Sequence, residues 1–190
     1  MRNLLPYLLV LALFGSACFR TRDPEPPVSA SDFAPPNQPE TVLSNLTNAV
    51  TKLNVANYER CFSTSHFLFS PDPGVARNNT GLFSNWALQP SELDVLRNID
   101  RVKDGTAQNR LVFSNARTNN INADSVEYVA DYRLQIQHQD TTFKQYVFTG
   151  NLNFSMMRNL ENEWRIVRWR DAKTGTDPCW SDLKQHFATR

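Results

Sequence analysis

From Val126 onward the chain alternates. Val126, Tyr128, Ala130, Tyr132, Leu134, Ile136 and His138 share one parity, and Glu127, Val129, Asp131, Arg133, Gln135, Gln137 and Gln139 share the other. A period of two held over 126–138 predicts a long strand with one buried face. The next stretch repeats it, with Tyr146, Phe148, Gly150, Leu152, Phe154 and Met156 set against Thr149, Asn151, Asn153 and Ser155. The turn near Asp140 joins the two as an antiparallel hairpin. A third strand is predicted over 163–170. Gly150, in mid-strand, marks a bend or a bulge.

Upstream the period lengthens. Leu43, Leu46, Val50 and Leu53 fall on one helical face, with Val42 and Ala49 beside them. Asn37 followed by Glu40, with Pro39 in the first turn, predicts a capping box. Asn54 caps a second short helix over 55–62, whose apolar side is Tyr58, Cys61 and Phe62. Residues 66–70 predict a short strand, 71–81 a loop, and Ser91 the cap of a helix carrying Leu93, Leu96 and Ile99. A strand follows over 111–114, a polar turn over 115–123, and one or two helical turns close the chain at 180–187. Helices first, then long antiparallel strands with one apolar face, define α+β. The expected architecture is a strongly curved antiparallel sheet packed on N-terminal helices, spanning 40–190.

The first 39 residues follow other rules. Arg2 precedes an apolar run from Leu4 to Phe14, which fits the core of a signal peptide and is too short to span a bilayer. Small residues, Gly15-Ser16-Ala17, lead to Cys18. This stretch resembles a lipobox, which implies a signal peptide over 1–17 and a diacylglycerol-bearing (palmitate-labelled) Cys18 as the mature N-terminus. The resemblance implies an exported lipoprotein of the cell envelope, held on a membrane by its lipid. With Phe19 rather than Asp after the cysteine, the outer membrane is expected if the host is Gram-negative. Gly15 replaces the motif's usual Leu, so secretion without lipid stays open. Residues 19–39 hold six of the eleven prolines and read as an extended tether between anchor and domain.

Charge adds little. Lys+Arg is 20 and Asp+Glu 19, and Arg2 is the sole charge in the first 17 residues, so the remainder balances. Such a chain has no global field to draw nucleic acid. Cys61 and Cys179 remain once Cys18 is assigned to lipid. Export permits a disulfide between them, and the alternative is two small buried hydrophobes.

The domain resembles the NTF2-like (SnoaL-like, cystatin-like cone) proteins. The resemblance rests on the first helix through Tyr58, the strand His66-Phe67-Leu68-Phe69, and Trp86 before a Glu92-bearing helix. It also rests on the last strand Trp164-Arg165-Ile166-Val167-Arg168-Trp169-Arg170-Asp171 with Trp180 and Leu183-Lys184 behind it. It implies a cone with an interior pocket and dimers formed through the open sheet face. On that face Val129, Val147, Val167 and Trp169 are expected. Catalytic members work through an Asp or His deep in the cone, and the nearest matches are His138, Tyr132 and His66. The chain has no GxSxG, HExxH, CxxC or Gly-rich phosphate loop, and its three histidines lack metal-ligand spacing. No cofactor and no metal is expected. Arg165, Arg168 and Arg170 interleave with Trp164 and Trp169, but Glu161, Glu163 and Asp171 lie beside them and can pair with them. The expected function is non-enzymatic binding of a small apolar ligand or an envelope protein by a lipid-anchored domain. A cone-pocket enzyme of isomerase, dehydratase or hydrolase type and a structural envelope protein are the alternatives.

Overall fold

The computed structural model describes residues 32–106 and 108–188. Five strands, β1 (Leu68–Ser70), β2 (Arg110–Asn122), β3 (Ser125–Gln135), β4 (Val147–Arg158) and β5 (Trp164–Ala172), form one sheet in the order β1-β5-β4-β3-β2. Neighbours are antiparallel except β1, which runs parallel to β5. The sheet is therefore mixed at one edge, where a wholly antiparallel one was expected. The helices are α1 (Pro39–Lys52), α2 (Val55–Glu59), α3 (Pro73–Asn78), α4 (Leu93–Arg101) and α5 (Trp180–Ala188).

The alternation of β3 and β4 reads through to burial. Every even residue from Val126 to His138 is buried, as are Phe148, Leu152, Phe154 and Met156. α1 and α2 lay Val42, Leu46, Ala49, Val50 and Tyr58 on this face, and α4 and α5 add Leu93, Val95, Leu96, Ile99, Trp180, Leu183 and Phe187.

Several boundaries differ from expectation. The helix over 39–52 begins without a side-chain cap, on Gln38, and Asn37 instead turns back to the Pro35 carbonyl. The packed chain begins earlier than residue 40. Phe33 is buried, Arg60 stacks on its ring at 3.8 Å, Asn45 pairs with both backbone groups of Ala34, and Trp164 donates its amide to Pro36. The stretch 71–81 contains α3, capped by Asp72, whose Oδ1 accepts the Gly74 and Val75 amides. α4 continues from a turn over 88–92 rather than starting on Ser91.

The polar turn expected over 115–123 is strand. β2 runs from Arg110 to Asn122, and beyond Phe113 its residues are exposed. It is an edge strand wet on both faces, so no alternation records it.

Candidate functional site

Two places in the fold carry unusual chemistry. The first is the interior of the cone, and a bulge creates it. Ser155 pairs with Arg168, yet Met156 pairs with Ile166, so Val167 is an extra residue in β5. A bulge flips the facing of everything after it. Trp164 and Ile166 point inward before it, and Trp169 and Asp171 point inward after it. Trp169 therefore leaves the outer face, where parity had put it as part of a dimer surface, and becomes fully buried. Its ring packs against Phe62, Phe69, Phe154 and Trp180.

Asp171 accepts from three groups. The Tyr132 hydroxyl donates to its Oδ1 at 2.7 Å, and the Ser181 amide and hydroxyl donate to its Oδ2 at 2.7 and 2.5 Å. Tyr132 in turn accepts the Trp180 amide at 2.7 Å. A second cluster surrounds Glu92. Tyr58 donates to its Oε1 at 2.6 Å, and Trp86 Nε1 and Lys184 Nζ donate to its Oε2 at 2.7 and 2.9 Å. The Lys184 ammonium, 0% exposed, lies 3.3 Å from the Trp169 ring centre and 3.4 Å from that of Phe69. Burial pulls its pKa down to about 8, against the opposing charge of Glu92. Burial also pushes the Tyr58 and Tyr132 hydroxyls up, reinforced by Glu92 and Asp171 respectively.

These partners leave little room between them. The cavity bounded by Val50, Tyr58, Glu92, Leu134, Trp180 and Leu183 has a volume of about 10 Å³, room for roughly one water molecule. A substrate has no space there.

The three candidate catalytic residues lie apart. Tyr132 is in the cone but committed at its hydroxyl to Asp171 and Trp180. His138 is buried six residues further on, stacked with Phe143 and Tyr146, with Nε2 at 3.0 Å from the Gln145 carbonyl. Among the described residues its Nδ1 has no hydrogen-bond partner. His66 is outside, exposed beside Ser65. Asp171, Glu92 and Lys184 went unassigned in the sequence. For Lys184 a signal existed, because it lies in the apolar stripe Trp180, Leu183, Lys184, Phe187.

Cys61 and Cys179 are buried free thiols, so the disulfide held open above is not formed. The reason is register. The Cys61 carbonyl accepts from Ile166 near the start of β5, whereas Pro178, next to Cys179, accepts from Thr149, beyond the Asn151–Ala172 pair at its other end. Several residues at about 3.3 Å each separate them, more than a disulfide spans. Cys18 lies outside the described residues.

The second place is on the outer face of the sheet. Phe62 bridges Ile166, and Leu68 is the next residue to pair, with Arg168. Ser63 still donates its amide to the Ile166 carbonyl, so the chain between Ser63 and Leu68 must bow away from the sheet, and Ser63, Thr64, Ser65 and His66 wall one side of a groove of about 1020 Å³. The β4–β5 turn forms the opposite wall. There Asn159 Oδ1 accepts the Glu161 and Glu163 amides, and Asn162 takes a left-handed φ of 61°. This tight turn holds Leu160 fully in solvent, at 104% exposure. Ser155, Met157, Arg165 and Val167 contribute from the strands, and Arg60, His66, Leu68, Arg158 and Arg168 from the rim.

A five-stranded sheet closed on one face by helices in this order is the NTF2-like cone, an α+β fold. Solved structures share it. A candidate aromatic ring hydroxylase of Novosphingobium aromaticivorans is 12% identical, with a TM-score of 0.58 over 76% of this chain and 92% of that one. A candidate scytalone dehydratase of the same species is 10% identical, with 0.55 over 73% and 83%. Hexachlorocyclohexane dehydrochlorinase LinA-type3 of Novosphingobium barchaimii is 12% identical, with 0.52 over 72% and 84%. Likeness at this identity is one of fold and carries no chemistry with it. No family model and no curated protein matches the chain.

Proposed function

We propose that this chain is an exported, lipid-anchored domain that binds its ligand or partner without catalysis, and does so in the outer groove rather than in the cone. One contrast carries the reading: the cavity beside Tyr58, Glu92 and Trp180 inside the cone holds about 10 Å³, against about 1020 Å³ in the groove. A cone-pocket enzyme needs an open cavity with convergent titratable groups. Here Tyr132, Asp171, Glu92 and Lys184 satisfy one another. What supports the anchor is the signal-like run and the small residues before Cys18.

One pair of chains tests both halves. Cells expressing the wild type incorporate radiolabelled palmitate into it, and those expressing Cys18→Ser do not; equal labelling removes the anchor. The Cys18→Ser chain is then titrated with small neutral fragments, such as isopropanol and phenol, and followed by amide NMR. Shifts cluster at 59–68 and 155–168. Shifts confined to residues around Tyr132, Leu134 and Trp180 would return the site to the cone.

A further inference from the structure

We propose that the groove takes a long-chain carboxylate: one acyl chain along the apolar rim, its anionic head among the arginines. The proposal rests on the groove being the binding surface. It names what occupies it.

Three observations converge on this chemistry. First, the rim leaves apolar side chains in water. Leu160, Leu68 and Met157 are 104%, 54% and 48% exposed, three of the six large exposed hydrophobics among the described residues. Exposed apolar side chains gathered on one surface mark a binding site.

Second, the lining concentrates positive charge. Arg60, Arg158, Arg165 and Arg168 line the groove together with Glu59 and Glu161. Arg165 is paired with Glu163, and Arg158 is 3.7 Å from Asp124. Among the described residues Arg60 and Arg168 have no ion pair. Arg60 is held by its stack on Phe33. A guanidinium so held presents a fork that matches a carboxylate.

Third, the groove offers no aromatic platform. Its one aromatic ring besides His66 is Phe62, which is 1% exposed. The lining has no Trp or Tyr and no exposed Phe on which bases and sugars would stack, and two arginines without an acidic partner are too few for a polyanion. An aliphatic chain asks for neither. The groove's size also lies at the top of the roughly 300–1,000 Å³ range of small-molecule sites, which suits an elongated ligand.

The full Cys18→Ser chain, which carries no lipid of its own, is titrated calorimetrically with dodecanoate below its micelle threshold. Saturation at one per chain is expected. Each fully buried methylene is worth about fourfold in affinity, so octanoate binds at least tenfold more weakly. Dodecanol, lacking the charge, also binds at least tenfold more weakly. Leu160→Asp and Arg168→Gln, both in exposed side chains, each weaken dodecanoate fivefold or more with melting unchanged. No dodecanoate binding, equal binding of dodecanol, or both variants binding as the parent overturns the proposal. Phosphatidylglycerol vesicles bound while dodecanoate is not would also overturn it, assigning the groove to a bilayer surface. If dodecanoate fails while neutral fragments still shift groove amides, the ligand class alone is wrong. If both fail, the groove reading falls as well.

Discussion

At the scale of residues, the buried titratable groups set how the protein responds to alkali. Burial lifts the Cys61 thiol from 9.0 to about 12, and lifts Cys179 as well. The folded chain keeps these protons where the unfolded chain releases them. Their contribution is complete below pH 9 and is lost as pH rises toward 12, at about 1.4 kcal/mol per pH unit for each thiol. Lys184 acts oppositely. Its pKa falls from 10.5 to about 8, so between those values the unfolded chain binds more protons and stability grows with pH. Lysine alone acts from pH 8 to 9, and above 9 two thiols outweigh it. Urea unfolding across pH 8–10 should therefore show a shallow rise and then a fall. The falling limb should vanish in the Cys61→Ala, Cys179→Ala double variant. An unchanged fall in that variant would mean that other groups govern the alkaline limb.

At the scale of elements, the strands illustrate what parity can and cannot report. β3 and β4 are regular, and their even residues faced inward as their sequence alternation required. β5 carries a bulge at Val167, which alternation does not reveal in a strand where Trp164, Ile166, Val167 and Trp169 are all apolar. Trp169 and Asp171 were therefore misplaced, and with them the Asp171 network. Gly150 was legible as a special position, but the reason lies in packing. The register shifts fall at 114–117, 120–122 and 155–156, not at Gly150. Tyr132 is its cross-strand partner, and a Cβ on Gly150 would come 2.6 Å from the Ala172 carbonyl oxygen and 2.7 Å from the Tyr132 hydroxyl. Gly150→Ala should therefore destabilise the domain by about 1–3 kcal/mol, the range for overpacking. Chemical denaturation measures it, and a loss under 0.5 kcal/mol, roughly the scale of surface changes, would show that the sheet yields easily.

At the scale of the whole molecule, fold class was readable because long strands and amphipathic helices repeat their signal over many residues. The groove was not. It depends on how the chain between Ser63 and Leu68 bows away from the sheet, a consequence of pairing between Phe62 and Ile166 and between Leu68 and Arg168. Its charge was equally hidden, since arginines from α2's end and from β4 and β5 gather only when those segments meet, while the composition balances.

That same pairing has a kinetic consequence. β2 and β3 are joined by residues 123–124 alone, and β3 and β4 by residues 136–146, so this meander can zip together early, whereas β1 must wait for a partner a hundred residues away, Leu68 with Arg168. The wall of the groove is therefore expected to assemble last and to open first. In native-state exchange, amides of 68–70 should lose protection at lower opening free energy than those of 128–134. Equal protection in both would show that the edge and the hairpin melt as one unit. With that expected order, a site built on this edge can admit a long ligand by a local opening that leaves the helix-covered face untouched.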